Sequence, residues 1–381
     1  MTSLTLFAYP FRVFFLSLAA WAIVTVALWV AVATGHWPLS LALPPLLWHQ
    51  HEILFAVLNP AIAGFLLTAV CVWTGTERLH GLPLMLLWLI WLLARLLALV
   101  PTTPEAVLVV LNLLFLPLVM LDAGRRIVVA RQPRHAPILV VLGLLWLAQA
   151  SFLMQLGHQA IPVALVAACA LMLVVGGRIT PAFSANWLRA RGGNPERIHN
   201  PLWLERLTLA VMLALCVTLP LGQALLTGTL ALAAAAISLL RILLWRGWRV
   251  WREPMLWILH LSLLWIPVGL LLLAGSRFHG WAEVLWQHAI GIGAMGGLIL
   301  GVVSRVSLGH TGRPLVLPDG MVSAYLLLQA SALVRLVTAL GELPWQRGIE
   351  ISAVLWVAAW GLFLLRYSAI LLAPRADGKP G

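Results

Sequence analysis

Eleven histidines stand in a chain of 381 residues that offers few other groups able to bind a metal or carry a proton in an apolar interior. Trp48-His49-Gln50-His51-Glu52 opens one apolar run and Gln287-His288-Ala289 opens another. Neutral imidazole ligates haem iron, copper and several other metals. Residues two apart on a helix diverge by about 200°, so His49 and His51 face different neighbours rather than one ion. His51 and His288 share their downstream spacing. Each is followed after 13 residues by a glycine, Gly64 or Gly301, and after 23 by a Thr-Gly pair, Thr74-Gly75 or Thr311-Gly312; Ile62 and Ile299 also match. This reads as a parallel repeat and pairs His51 with His288 as axial ligands of one haem.

Other residues join this reading with an ordinary alternative beside each. Arg95 lies near the end of an apolar run, where haem propionates would neutralise it, or where it snorkels to the headgroups. Ala289, Gly293, Gly297 and Gly301 make a stripe of small residues that admits either a neighbouring helix or a flat macrocycle. Met295 offers a thioether to copper or fills space. His36, His158 and His279 lie in loops on the same side as His51 and His288 and are candidates for a second, copper site, whereas His199 and His310 fall on the opposite side and His260 lies within a run. Glu52, Glu105, Asp122, Glu283 and Glu350 all fall at or beyond the ends of apolar runs. The absence of a mid-membrane carboxylate counts against a proton-coupled carrier.

The elements that must position these residues are transmembrane helices. The chain is 62% hydrophobic and 9% charged, so water is not its main solvent. Apolar runs of roughly the ~20 residues needed to cross a bilayer recur throughout. They lie at 14–33, 51–72, 82–100, 107–121, 138–155, 160–175, 207–226, 229–244, 255–274, 284–303, 321–339 and 349–372. The fold class is all-α, a polytopic bundle of about twelve spans forming a single transmembrane domain over 1–381. The first run is longer than a signal-peptide core and is expected to be retained.

Arginine clusters at 125–134, 189–197, 246–252 and 305–313, together with Arg375 and Lys379, occupy alternate connections and the C-terminal tail. The positive-inside rule then places both termini in the cytoplasm. That distribution also explains the formal charge of +12 without nucleic acid. Tryptophans at run ends, among them Trp37, Trp48, Trp73, Trp203, Trp251, Trp281 and Trp345, form interfacial belts. Cys71, Cys169 and Cys216 lie inside apolar runs without CxxC spacing and read as packing residues.

Several stretches together resemble the NnrS family of haem- and copper-containing bacterial membrane proteins associated with the response to nitric oxide. They are Tyr9-Pro10-Phe11-Arg12, Trp48-His49-Gln50-His51-Glu52, the segment from Ala63 to Gly75, Arg95, Gly176-Gly177-Arg178-Ile179-Thr180-Pro181 through Asn186, and His288 to Arg305 with Leu308-Gly309-His310-Thr311-Gly312-Arg313. Ile53 departs from the methionine expected after the His-x-His-Glu motif. The resemblance implies a multi-pass inner-membrane protein that contains haem and copper and relieves nitrosative stress. His49, His51 and His288 are the metal contacts it points to. Its partners would be the lipid bilayer, nitric oxide or metal-nitrosyl species, and quinol or a separate redox protein as electron donor. The architecture is also similar to the catalytic subunit of haem-copper oxidases, but the chain lacks an adjacent His-His pair and a His-x-x-x-Tyr pattern on its middle spans, so oxygen reduction is not expected. The competing reading is a solute or metal transporter.

Overall fold

A computed structural model describes residues 5–379. Twelve long helices follow one another, with no strand among the described residues: α1 (Pro10–Ala33), α2 (Pro45–Thr74), α3 (Leu82–Ala98), α4 (Glu105–Val129), α5 (Ala136–Leu153), α6 (Ala160–Ala190), α7 (Leu202–Thr218), α8 (Ala224–Leu244), α9 (Pro254–His279), α10 (Glu283–His310), α11 (Met321–Ala339) and α12 (Trp345–Leu372). Each apolar run of the sequence corresponds to one of them, except that the run at 207–226 stops at Thr218 and its last residues open α8. All but α3 are long and apolar enough to cross a membrane, α7 when counted from the preceding turn at Pro195. The 17 residues of α3 reach about 26 Å at 1.5 Å per residue. Helices are the expected outcome, because a segment in lipid must satisfy its own backbone N–H and C=O groups.

Several helices run past the apolar runs that announced them. The run at 107–121 continues to Val129, carried by an i,i+4 pair in which Arg126 donates to Asp122 at 2.8 and 2.9 Å. The run at 160–175 continues through Pro181 to Ala190, and that at 284–303 to His310. The outer surface is apolar: Val128, Leu225 and Leu365 are each about three-quarters exposed, as expected of side chains solvated by lipid tails.

The chain divides into two compact units. One comprises Met1–Leu156, Val303–Ala324 and Ala353–Gly381; the other comprises Gly157–Val302 and Tyr325–Ser352. In the first, α1 packs on α2 through Gly64, where a Cβ would come within 2.6 Å of Phe15 and 3.2 Å of Phe14. The same unit ties α1 to the C-terminal end of the chain, and that end to the close of α10. Arg12 donates to the carbonyls of Leu371 and Ala373, Arg375 donates to that of His310, and the amide of Ala376 donates to that of Thr311. Gly312 is required at this joint. Its φ is +70°, and a Cβ would fall 2.5 Å from the Asp377 carboxyl carbon. Arg375 donates twice to Asp377, and that hydrogen bonding holds the carboxyl down to about 2. The Leu308-to-Arg313 motif is therefore a structural clasp.

In the second unit the small-residue stripe of α10 is filled by its neighbours. A Cβ on Gly293 would strike the Trp265 ring, one on Gly297 would strike Ser262 and Gln329, and one on Gly301 would strike Ile258 and Leu259. Of the two readings of the stripe, helix packing against α9 and α11 accounts for these three glycines. The Gly176-Gly177-Arg178 motif is explained in the same way. Gly176 lies against Leu263 and Leu298, and Gly177 makes room for the guanidinium of Arg241, 2.3 Å from where a Cβ would stand.

Candidate functional site

Two features of helix geometry isolate His51 and His288. Each is the last residue of a short α-helical segment, Pro45–His51 or Glu283–His288, and each is followed at once by π-helix, Glu52–Ala56 or Ala289–Gly296. Such insertions re-aim side chains and concentrate at functional sites.

In the first unit, α1 to α5 all contribute to a buried polar cluster around His51. His51 and Glu52 are each 1% exposed and Arg95 is 2% exposed. Nδ1 of His51 is 2.8 Å from Oε1 of Glu52. The other carboxylate oxygen accepts from Trp21 Nε1 at 2.8 Å and lies 3.2 Å from Arg95 Nε. Arg95 also donates through Nη2 to Asn112 Oδ1, and Asn112 donates to the Leu108 carbonyl. One carboxylate thus gathers an imidazole, an indole and a guanidinium, and its charge offsets that of Arg95.

The amide orientations bear on the form of the imidazole. Asn59 Nδ2 donates to Gln149 Oε1 at 3.3 Å, which turns Gln149 Nε2 toward His51 Nε2 at 3.2 Å. A carboxylate at Nδ1 calls for a donor there, and an amide N–H at Nε2 calls for an acceptor. With the amides so oriented, His51 is neutral, its proton lies on Nδ1 and its Nε2 accepts from Gln149. Phe55 and Phe152 flank the ring at 5.5 and 5.9 Å. Histidines that ligate metals usually donate their second N–H to a carboxylate or a backbone carbonyl, which fixes the ring and raises its basicity.

His288, in the second unit, reaches the same state by another route. Its Nδ1 is 2.8 Å from the Val284 carbonyl, so it donates there and leaves the Nε2 lone pair for a ligand. At the start of α10, Glu283 accepts from Arg277 at 2.6 Å and from Trp286 Nε1 at 2.7 Å. His49 turns away from His51 and stacks on Trp29 with ring centroids 4.5 Å apart, as the angle between residues two apart requires. The structure brings His51 and Arg95 to one carboxylate and sets His49 elsewhere; His288 belongs to the other unit.

No group of three or more His, Cys, Asp or Glu side chains able to hold a metal ion occurs among the described residues, and the three cysteines are free and buried. His158 and His279 are exposed, and His36 pairs with Thr34 Oγ1 at 2.5 Å. His260 binds Ser184 at 3.0 Å, tying α9 to α6.

Sequence reasoning underrated Glu52. It stands not at a span end but seven residues inside a helix of 30 residues. The signal available was its place beside His51. Asn59, Asn112 and Gln149 were equally legible as amides inside apolar runs. A second buried network, around Arg241, also escaped notice. Arg241 donates to the Leu173 carbonyl and to Asn200, and lies 3.6 Å from Glu205, which also accepts from Arg178 at 3.0 and 3.1 Å.

No curated protein matches the chain. A profile of one known family, described as NnrS protein, matches residues 5–375. That span takes in α1 through α12 and every residue of the two histidine segments, so this multi-pass helical membrane protein belongs to the NnrS family.

Proposed function

We propose that this chain is a haem-containing bacterial inner-membrane protein of the nitric oxide and nitrosative stress response, and that it binds or redox-processes nitric oxide or its metal adducts. The observation that carries this reading is the matched state of two imidazoles. His51 and His288 each close an α-helical segment before a π-helix and each has Nδ1 anchored; Nε2 of His288 is left to coordinate, whereas Nε2 of His51 faces the neutral Gln149 amide, which a metal would displace. These are properties of ligating histidines. When bound, haem supplies a redox-active iron with an affinity for nitric oxide. The chain's own part is to keep both imidazoles neutral and fixed, to exclude water with aromatic and aliphatic side chains, and to balance the Glu52 charge with Arg95. Arg95 acts on His51 through Glu52. Copper belongs to the family reading; with no group of three donors among the described residues, we assign it no ligands and derive no step through it. Electrons would come from quinol or a separate redox protein. The alternation of arginine-rich connections supports cytoplasmic termini.

The test is purification from membranes with native cofactors. A Soret band is expected, and His51→Ala and His288→Ala should each shift or abolish it while His49→Ala leaves it in place. Unchanged haem absorbance in both of the first two variants refutes the ligand assignment. Elemental analysis decides copper.

One observation favours a second reading. Glu52, His51 and Arg95 form an ionisable cluster inside a membrane-spanning helix bundle, a feature that transporters use to couple substrate to protons. This removes the objection drawn from the apparent lack of an intramembrane carboxylate. Colourless protein that moves a solute in liposomes would establish that reading instead.

A further inference from the structure

The correspondence between His51 and His288 extends to four consecutive helices. α9 to α12 repeat α1 to α4 in order and in approximate length, at a displacement of about 240 residues. Contacts repeat with it. Gly64 lies against Phe14 and Phe15, four and five residues beyond the opening proline of α1, and Gly301 lies against Ile258 and Leu259, four and five beyond that of α9. Trp21 and Trp265, each eleven residues beyond that proline, both donate their indole N–H to a side chain of another helix, Glu52 and Gln329. On the third helix of each set an arginine stands at nearly the same distance from the start, Arg95 in α3 and Arg335 in α11. Arg335 lies within electrostatic reach of His288.

The two copies differ at one chemically decisive position. The residue after the histidine is Glu52 in the first and Ala289 in the second. Where Glu52 serves His51, Trp21 and Arg95, the second copy has found other partners for two of the three donors. His288 turns to the Val284 carbonyl and Trp265 to Gln329. Arg335 alone has no replacement. It is partly buried in an apolar helix, without a hydrogen bond or ion pair among the described residues. An unpaired guanidinium in such a place is costly, and its planar fork matches a carboxylate.

We propose that Arg335 is the anchor for a carboxylate brought by a ligand that binds beside His288, taking the place that Glu52 fills in the first repeat. Resting on the haem reading above, the carboxylate is a haem propionate; a free small carboxylate is the other source of the same chemistry. The second repeat keeps the cation and omits its counter-ion, so that the site beside His288 is completed only by ligand.

The experiment crosses two changes. Wild type, Arg335→Gln, Arg335→Lys and a control at the exposed Arg347, Arg347→Gln, are each loaded with haem or with haem dimethyl ester, whose propionates are uncharged, and release to apomyoglobin is timed. Wild type and the control should release the diester at least ~10-fold faster than haem, the scale of one lost charge-assisted pair. Arg335→Gln should release the two at equal rates, and Arg335→Lys should restore part of the difference. Equal release of both from wild type, or an undiminished preference in Arg335→Gln, overturns the haem source. So does an effect of Arg335→Gln confined to co-purifying anionic phospholipid, which would make Arg335 a headgroup contact. A wild type that takes up no haem overturns the haem reading itself. Titration with benzoate, followed by tryptophan fluorescence, then decides the carboxylate claim: saturation in wild type and none in Arg335→Gln upholds it, and no saturation in either overturns it.

Discussion

Replacing Glu52 by glutamine should be among the most destabilising conservative changes available to this chain, and removing Arg95 as well should reverse most of the loss. The carboxylate is 1% exposed and the guanidinium 2%, so neither has solvent to fall back on. Glutamine keeps the volume and one acceptor oxygen but leaves the Arg95 charge buried without a counter-charge. Removing one member of a buried pair costs about 3–5 kcal/mol, or two to four powers of ten in the folding equilibrium. Leucine at Arg95 then removes the stranded cation. The double variant Glu52→Gln/Arg95→Leu should return to within about 1–2 kcal/mol of wild type, the residue of the loss being the donor that Asn112 no longer has. Unfolding in mixed micelles at increasing mole fractions of a denaturing detergent measures all four members of the cycle. Coupling energy is the decisive quantity. If the single change costs less than about 1 kcal/mol, or the two changes add without coupling, the pair does not stabilise the bundle and the account of Glu52 as the centre of the cluster is refuted.

Two further outcomes follow from other parts of the molecule. Gly177→Ala should lower thermal stability by about 1–3 kcal/mol, since the new methyl would displace the Arg241 guanidinium from the space that glycine leaves; an unchanged melting midpoint would mean that Arg241 is not held there. The Arg375–Asp377 clasp should show acid sensitivity of one sign. Its carboxyl is depressed from 3.8 to about 2 by hydrogen bonding to Arg375, so its contribution is complete above pH 3.8 and is lost as the pH falls through about 2. The difference in melting midpoint between wild type and Asp377→Asn should therefore close over that interval, and a difference that persists below it would exclude the clasp.

The helical class of this protein is written in local composition. A segment such as 160–175 or 321–339 is apolar enough that, wherever it lies in the bilayer, it must satisfy its backbone internally. The spacing shared by His51 and His288 was legible for the same reason, being a property of order along the chain. What composition does not encode is which side chain from another helix arrives at a given point. Glu52 looked like an interfacial acid because the apolar run was judged to begin beside it. Only the arrival of Trp21 from α1 and Arg95 from α3 makes it a buried centre. The glycine stripe of α10 offered two occupants, and the packing of Trp265, Ser262, Ile258 and Leu259 from α9 selected one. The Leu308-to-Arg313 motif helped carry the family resemblance, yet its partners are the C-terminal tail and the rings of Tyr9 and Phe11. Sequence by itself determined which segments are helices in lipid, because that depends on each segment's own hydrogen bonds and hydropathy. Tertiary structure decided which polar groups are paired and which, like Arg335, are left to a ligand, because burial and charge compensation are properties of neighbours far away in the chain.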